Sequence, residues 1–255
     1  MRMKKLSEQS HNVLMVTGGS RGIGAAIVRK AAARGHSICF SYLQDKEAAR
    51  ALLDEVQATG IRAHGVQGDM ADASFPARFF DEAQEAVGPV TMLVNNAGMT
   101  GRCGSFTELP QDVMRRTIDV NLMGPLIMAQ EAVRRWQASD THGRMVNISS
   151  IAATLGSPGE YVHYAATKAA IDALTIGLGK EVAAFGIRIN AVAPGTVYTQ
   201  IHAAGGVPDR PAQVVGRVPM GRIADPDEIA DVVLWLLSDE ASYVTATVVR
   251  ASGGL

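Results

Sequence analysis

Val13-Leu14-Met15-Val16-Thr17-Gly18-Gly19-Ser20-Arg21-Gly22-Ile23-Gly24 is an apolar, β-branched run that passes directly into a glycine-rich turn. Residues 13–17 read as a first strand, and the amphipathic stretch 23–33 reads as the helix after it. Glycines at this junction let the backbone turn tightly and approach a pyrophosphate, which free N–H groups at the helix start stabilise. The spacing G-x-x-x-G-x-G is one residue wider than the common dinucleotide fingerprint. A P-loop is excluded, because no Gly-Lys-Ser/Thr comes next. The alternative is a glycine-rich turn with no ligand, and the position straight after the first strand argues against it.

Outward from this junction, short β-branched runs alternate with longer amphipathic stretches. Segments 37–42, 63–67, 92–94, 144–149, 187–193 and 247–250 read as further strands. Segments 46–59, 75–87, 113–136, 161–185 and 226–238 read as helices. Several strands are apolar throughout, as a parallel sheet covered on both faces requires. The pattern predicts an α/β fold: a single-domain, Rossmann-type doubly wound parallel sheet of about seven strands with helices on both faces. No linker or repeat divides residues 13–255, and residues 1–12 read as an N-terminal extension. Regularity breaks over 199–220, which holds Gly205, Gly206, Pro208, Pro211 and Pro219. The break comes after a strand and so falls at the carboxyl edge of the sheet, where it reads as a substrate lid.

Composition narrows the function further. The chain of 255 residues is 47% hydrophobic and 19% charged, with a net charge of −1. That balance offers no general attraction to nucleic acid or to an anionic membrane. The first apolar run is too short for a signal peptide or membrane span, so a cytoplasmic protein is expected. Cys39 and Cys103 lack metal-ligand spacing, and the six histidines are scattered, so no metal site is expected. His163 reads as a packing or substrate-rim residue, and Met114, Met123 and Met128 as core or interface filler.

Tyr164-Ala165-Ala166-Thr167-Lys168 places a phenol and an ammonium one helical turn apart. A free tyrosine, with a pKa of about 10, is a poor base at neutral pH. A nearby positive charge favours the phenolate and is expected to lower that value. An acid that would bind the ribose 2′-hydroxyl of NAD belongs about twenty residues after the fingerprint. Here the second strand ends Cys39-Phe40-Ser41-Tyr42, with a hydroxyl in that place. Arg21, helped by Ser41, suits a 2′-phosphate instead, while Asp45 and Glu47 weigh on the other side. NADP(H) is therefore expected over NAD(H). Asn95-Asn96-Ala97-Gly98 and Asn147-Ile148-Ser149-Ser150 each end a strand with amides, hydroxyls or small residues at the carboxyl edge.

Taken together, these segments resemble the short-chain dehydrogenase/reductase family along essentially the whole chain after the N-terminal extension. Within it the chain looks most like the 3-oxoacyl-carrier-protein reductase and glucose-dehydrogenase-like branch. The resemblance implies a cofactor loop made by Gly18, Ser20, Arg21, Gly22, Ile23 and Gly24, with Ser41 beside it. It further implies an adenine-contacting Asp69 followed by Met70, the segment Asn96, Ala97 and Gly98, and a nicotinamide-side segment holding Pro194, Gly195, Val197 and Thr199. Asn121, Ser150, Tyr164 and Lys168 look like the catalytic tetrad, with Tyr164 and Lys168 also touching the cofactor. Ser149 competes with Ser150 for the polarising role, and the strand-end pattern Asn-x-x-Ser favours Ser150. Two departures concern the substrate side and subunit packing: alanine in Thr245-Ala246-Thr247, and no acid before Gly253-Gly254.

The activity implied by this resemblance is that of an oxidoreductase moving a hydride between NADP(H) and a small-molecule carbonyl or alcohol. Tyr164 would give its proton to the developing alkoxide while Ser150 holds that oxygen. Lys168 would lower the Tyr164 pKa, and Asn121 would hold a water linking Lys168 to solvent. A 3-oxoacyl thioester, a sugar or another ketone fits as substrate, and segments 99–103, 156–161 and 199–220 would shape the pocket. The resemblance also implies a homotetramer, or a homodimer, built partly on helices 113–136 and 161–185. The alternative is an NADP-binding regulatory or scaffold protein without turnover.

Overall fold

The computed structural model describes residues 12–255, so the expected N-terminal extension lies, apart from Asn12, outside the described residues. The chain runs β1 Val13–Val16, α1 Gly22–Ala33, β2 Ser37–Tyr42, α2 Lys46–Gln57, β3 Ala63–Gln67, α3 Phe75–Val87 and β4 Met92–Asn95. It continues through α4 Gln111–Ile118, α5 Gly124–Ala138, β5 Arg144–Ile148, α6 Ala152–Leu155, α7 Val162–Val182 and β6 Arg188–Pro194. Then come α8 Ile201–Ala204, α9 Arg210–Val214, α10 Pro226–Leu237 and β7 Val248–Ala251. All seven strands are parallel, in the order β3-β2-β1-β4-β5-β6-β7.

This order decides where a site can be. After β3 the chain returns to the far side of β1, so helices cover opposite faces in the two halves and a crevice opens above β1 and β4. Period-two alternation sorts the strand residues. Leu14, Val16, Ile38 and Phe40 face a core shared with α1 and α10, while Met15, Cys39 and Leu93 face Phe79, Met128 and Trp136 on the other side. Burial of each such side chain contributes about 1.5–3 kcal/mol. Among the described residues, no helix is long and apolar enough to cross a membrane.

Two expected helices differ. The stretch read as one helix over 113–136 is α4 and α5 joined by a π-helical turn, Asp119–Met123. Pro125 has no N–H to donate to the carbonyl four residues back, which is that of Asn121. Gly124 meanwhile passes so close to Met70 that a Cβ would lie 2.6 Å from its carbonyl oxygen. The stretch read as 161–185 is α7, finished by a tight 3-10 turn Ala183–Phe185 before Gly186 at φ +72°. The irregular 199–220 stretch contains α8, α9 and a 3-10 turn Val215–Arg217, all too short to leave a periodic signal.

Candidate active site

At the end of β1 the chain makes the tight turn its glycines permit, with Gly18 at φ +64° and Gly22 at φ +53°. Ser41 holds this turn from β2: its Oγ accepts from the Gly18 N–H at 3.1 Å and its carbonyl from the Gly19 N–H at 2.8 Å. Asn96 holds it from β4, with Nδ2 donating to the carbonyls of Thr17 and Gly18, each at 2.9 Å. Thr17 Oγ1 accepts in return from the N–H groups of Asn96 and Ala97. Arg21 occupies the N-cap of α1, and its side chain does not cap the helix. The first-turn N–H groups are thus free of side-chain partners and suit an anion.

A cleft of about 1050 Å³ runs from this loop along the carboxyl edge. Gly18, Ser20, Arg21, Gly22, Ile23 and Ser41 line it. Asp69, Met70, Asn96, Ala97 and Gly98 line it too, as do Pro194, Gly195, Val197 and Thr199 together with Ser150, Tyr164 and Lys168. Two of the expected residues stand behind the wall. Gly24 packs inside the loop, where a Cβ would lie 2.2 Å from the Gly18 carbonyl oxygen and 2.6 Å from Asn96 Nδ2. Asn121 is 1% exposed, in the π-helical turn. Its Oδ1 accepts from the Met99 N–H at 2.9 Å, and its Nδ2 donates to the Met99 carbonyl at 2.7 Å and to Thr167 Oγ1 at 3.3 Å. The amide therefore braces the loop after β4.

Around Tyr164 and Lys168 a ladder of hydrogen bonds joins the end of β5 to α7. Asn147 Nδ2 donates to Thr175 Oγ1 at 2.9 Å, and the Ser149 hydroxyl donates to the Lys168 carbonyl at 3.3 Å. Lys168 Nζ donates to the Ile148 carbonyl at 2.7 Å and lies 5.6 Å from the centre of the Tyr164 ring. This ladder separates the two competing serines. Ser149 is buried against α7, whereas Ser150 is half-buried and its hydroxyl acts on Tyr164. Burial lowers the Lys168 pKa to about 8, opposed by the charge of Asp172. Burial raises that of Tyr164, opposed by the hydrogen bond with Ser150. The expected lowering of the Tyr164 pKa by Lys168 is thus overturned: desolvation of the phenolate dominates.

Three features carried no sequence signal. Arg116 donates to both carboxylate oxygens of Asp69, at 2.9 and 2.8 Å, while Asp69 Oδ1 also accepts from the Ala71 N–H. Arg210 from α9 forms a two-pronged pair with Glu160 at 2.7 and 2.6 Å, and its guanidinium lies 5.3 Å from the centre of the Tyr161 ring. That pair pins the 199–220 segment to the loop before α7 and holds the Glu160 carboxyl below its ordinary range. Gly205 lets the same segment rest on Thr100, whose Oγ1 would lie 2.4 Å from a Cβ there. His163 is 6% exposed, and burial lowers its pKa.

Comparison with known proteins places this geometry among relatives. A family model described as enoyl-(acyl carrier protein) reductase matches residues 18–255. The uncharacterized oxidoreductase YgfF of Escherichia coli (strain K12) is 41% identical over 244 residues, covering 95% of this chain and 99% of that protein. L-rhamnose 1-dehydrogenase (NAD(P)(+)) of Sphingomonas sp. (strain SKA58) is 36% identical, covering 95% of each chain. A blue fluorescent protein from a metagenomic library, solved in complex with NADPH, superposes with a TM-score of 0.87 at 36% identity, over 95% of this chain and 97% of that one.

Proposed function

Since the chain belongs to the short-chain dehydrogenase/reductase family of oxidoreductases, we propose that it is an NADP(H)-preferring carbonyl reductase or alcohol dehydrogenase with Tyr164 as its general acid and base. The observation that carries this reading is that one cleft is lined both by the uncapped start of α1 and by Ser150, Tyr164 and Lys168.

The donors present suit a nicotinamide dinucleotide: the glycine loop and the N–H groups of α1 would hold its phosphates. When bound, that cofactor supplies or accepts the hydride. Tyr164, kept protonated by burial, donates its phenolic proton to the substrate oxygen, and the Ser150 hydroxyl hydrogen-bonds the same oxygen as charge develops. Lys168 returns a proton towards Tyr164. Asn121 acts through its carbonyl, which Pro125 leaves without its α-helical donor and which suits a water on the path to solvent.

Preference for NADP(H) is supported by Arg21 and Ser41 in the cleft lining and by the fate of one of the two competing acids. Asp45 caps α2, accepting from the Ala48 N–H at 2.9 Å. Homotetramer assembly is supported by apolar side chains on the outer faces of α4, α5 and α7 and their ends. Ile118, Met123, Ile176 and Phe185 are 38–55% exposed. Oxidation of NADPH and of NADH, monitored with a panel of ketones, sugars and 3-oxoacyl thioesters, tests the proposal. A higher kcat/KM with NADPH is expected. Equal or better use of NADH overturns the preference, and no oxidation of either cofactor overturns the enzymatic reading.

A further inference from the structure

Helix α7 carries a third ionisable group on the face that bears Tyr164 and Lys168. Asp172 stands one turn beyond Lys168, so the three are spaced at i, i+4 and i+8. Neither the cofactor cradle nor the proton transfer described above uses it, and it does not line the cleft. Its Oδ1 is buried without a hydrogen-bond partner. A buried carboxylate oxygen left unpaired is costly. Lys168, 5% exposed, has the mirror problem, since its one hydrogen-bond acceptor among the described residues is the neutral Ile148 carbonyl. Side chains on a helix lean towards its N-terminus, which brings the short Asp172 carboxyl under the stem of Lys168.

We propose that Asp172 is a positioning residue: its negative charge keeps Lys168 protonated from behind the helix and so sets the upper pH limit of turnover. It touches neither substrate nor cofactor and acts only through Lys168. The groups that face it come from three elements. Burial pushes the Asp172 carboxyl up, while Ser149 just beyond β5, Arg250 on β7 and Lys168 on α7 itself favour its charged form. Tyr164 is the remaining titratable group beside Lys168. Two causes act on Lys168 in opposite directions. Burial favours the neutral amine and Asp172 favours the ammonium, so loss of Asp172 lets the proton leave at lower pH.

The inference rests on the role given to Lys168 above, so its test needs one readout without turnover and one with it. The isosteric Asp172→Asn protein is compared with wild type by titration of ¹³Cε-labelled lysine in NMR, the Lys168 signal being assigned with Lys168→Arg. The midpoint is expected to fall by about half to one pH unit. The alkaline limb of kcat/KM for carbonyl reduction should move down by the same amount, with kcat at about pH 6 within about twofold of wild type. Asp172→Glu should restore both. Asp172→Ser serves as a second variant with the same expectation, should the amide perturb folding. An unchanged midpoint, or a loss of kcat equal at every pH, overturns the inference. A shifted midpoint in a protein that reduces no carbonyl supports the Asp172–Lys168 coupling and removes the catalytic reading alone.

Discussion

Tyr164 and Lys168 are pushed towards their neutral forms by the same cause, removal from water, and the consequences differ. A neutral phenol is the correct form for an acid that protonates a carbonyl oxygen, so burial suits reduction near neutral pH. Lys168, with its pKa lowered to about 8, carries its charge below that pH and loses it above. kcat/KM for reduction is therefore expected to fall as pH rises through about 8, measured in the steady state; a profile flat to about pH 10 would contradict the assignment. Tyr164→Phe removes the transferable proton and keeps the ring, so kcat should drop by about 10²–10⁴-fold while NADPH affinity, read by fluorescence titration, stays within a few-fold. Near-normal turnover in that variant would sink the proposed role. Gly24→Ala probes the loop instead. A methyl 2.2 Å from the Gly18 oxygen must displace the turn, and NADPH affinity should weaken by at least about tenfold.

Among the elements, the break between α4 and α5 and the 199–220 segment matter most for the site. Sequence periodicity saw one long helix where Pro125 and Gly124 enforce a π-helical turn that carries Asn121. Such turns gather at functional sites because they re-aim backbone groups. The 199–220 segment is held by the Glu160–Arg210 pair, whose side chains are 31% and 15% exposed. If this segment is the substrate lid, Glu160→Gln weakens its latch by about 1 kcal/mol after allowance for solvent screening. KM for substrate should then rise about fivefold with kcat changed less, and an unchanged KM would separate the segment from substrate binding. The carboxyl of Glu160 lies below its usual value of 4.5 in the folded state. The latch therefore contributes fully above that value and is lost only as pH falls through the lowered one.

At the scale of the whole molecule, strand order creates the cleft, and the outer helices carry exposed apolar side chains. Sedimentation should give about four times the chain mass of 26.9 kDa, and Ile118→Glu with Met123→Lys should shift it to smaller species; a strict monomer in the wild type argues against the homotetramer. The sequence by itself determined the alternation of strands and helices, the parallel sheet and the glycine turn after β1. These are local properties, set by periodicity and by the φ values glycine allows. Gly18, Ser150, Tyr164 and Lys168 were legible because spacing on one strand end or one helix turn fixes their direction. Tertiary structure alone decided that Asn121 spends its amide on Met99, that Asp69 meets Arg116, that Arg210 reaches Glu160 and that burial raises the Tyr164 pKa. Each of these joins residues 22–50 positions apart, or depends on how much water the surrounding elements exclude. Neither distance through space nor desolvation is encoded in a local pattern.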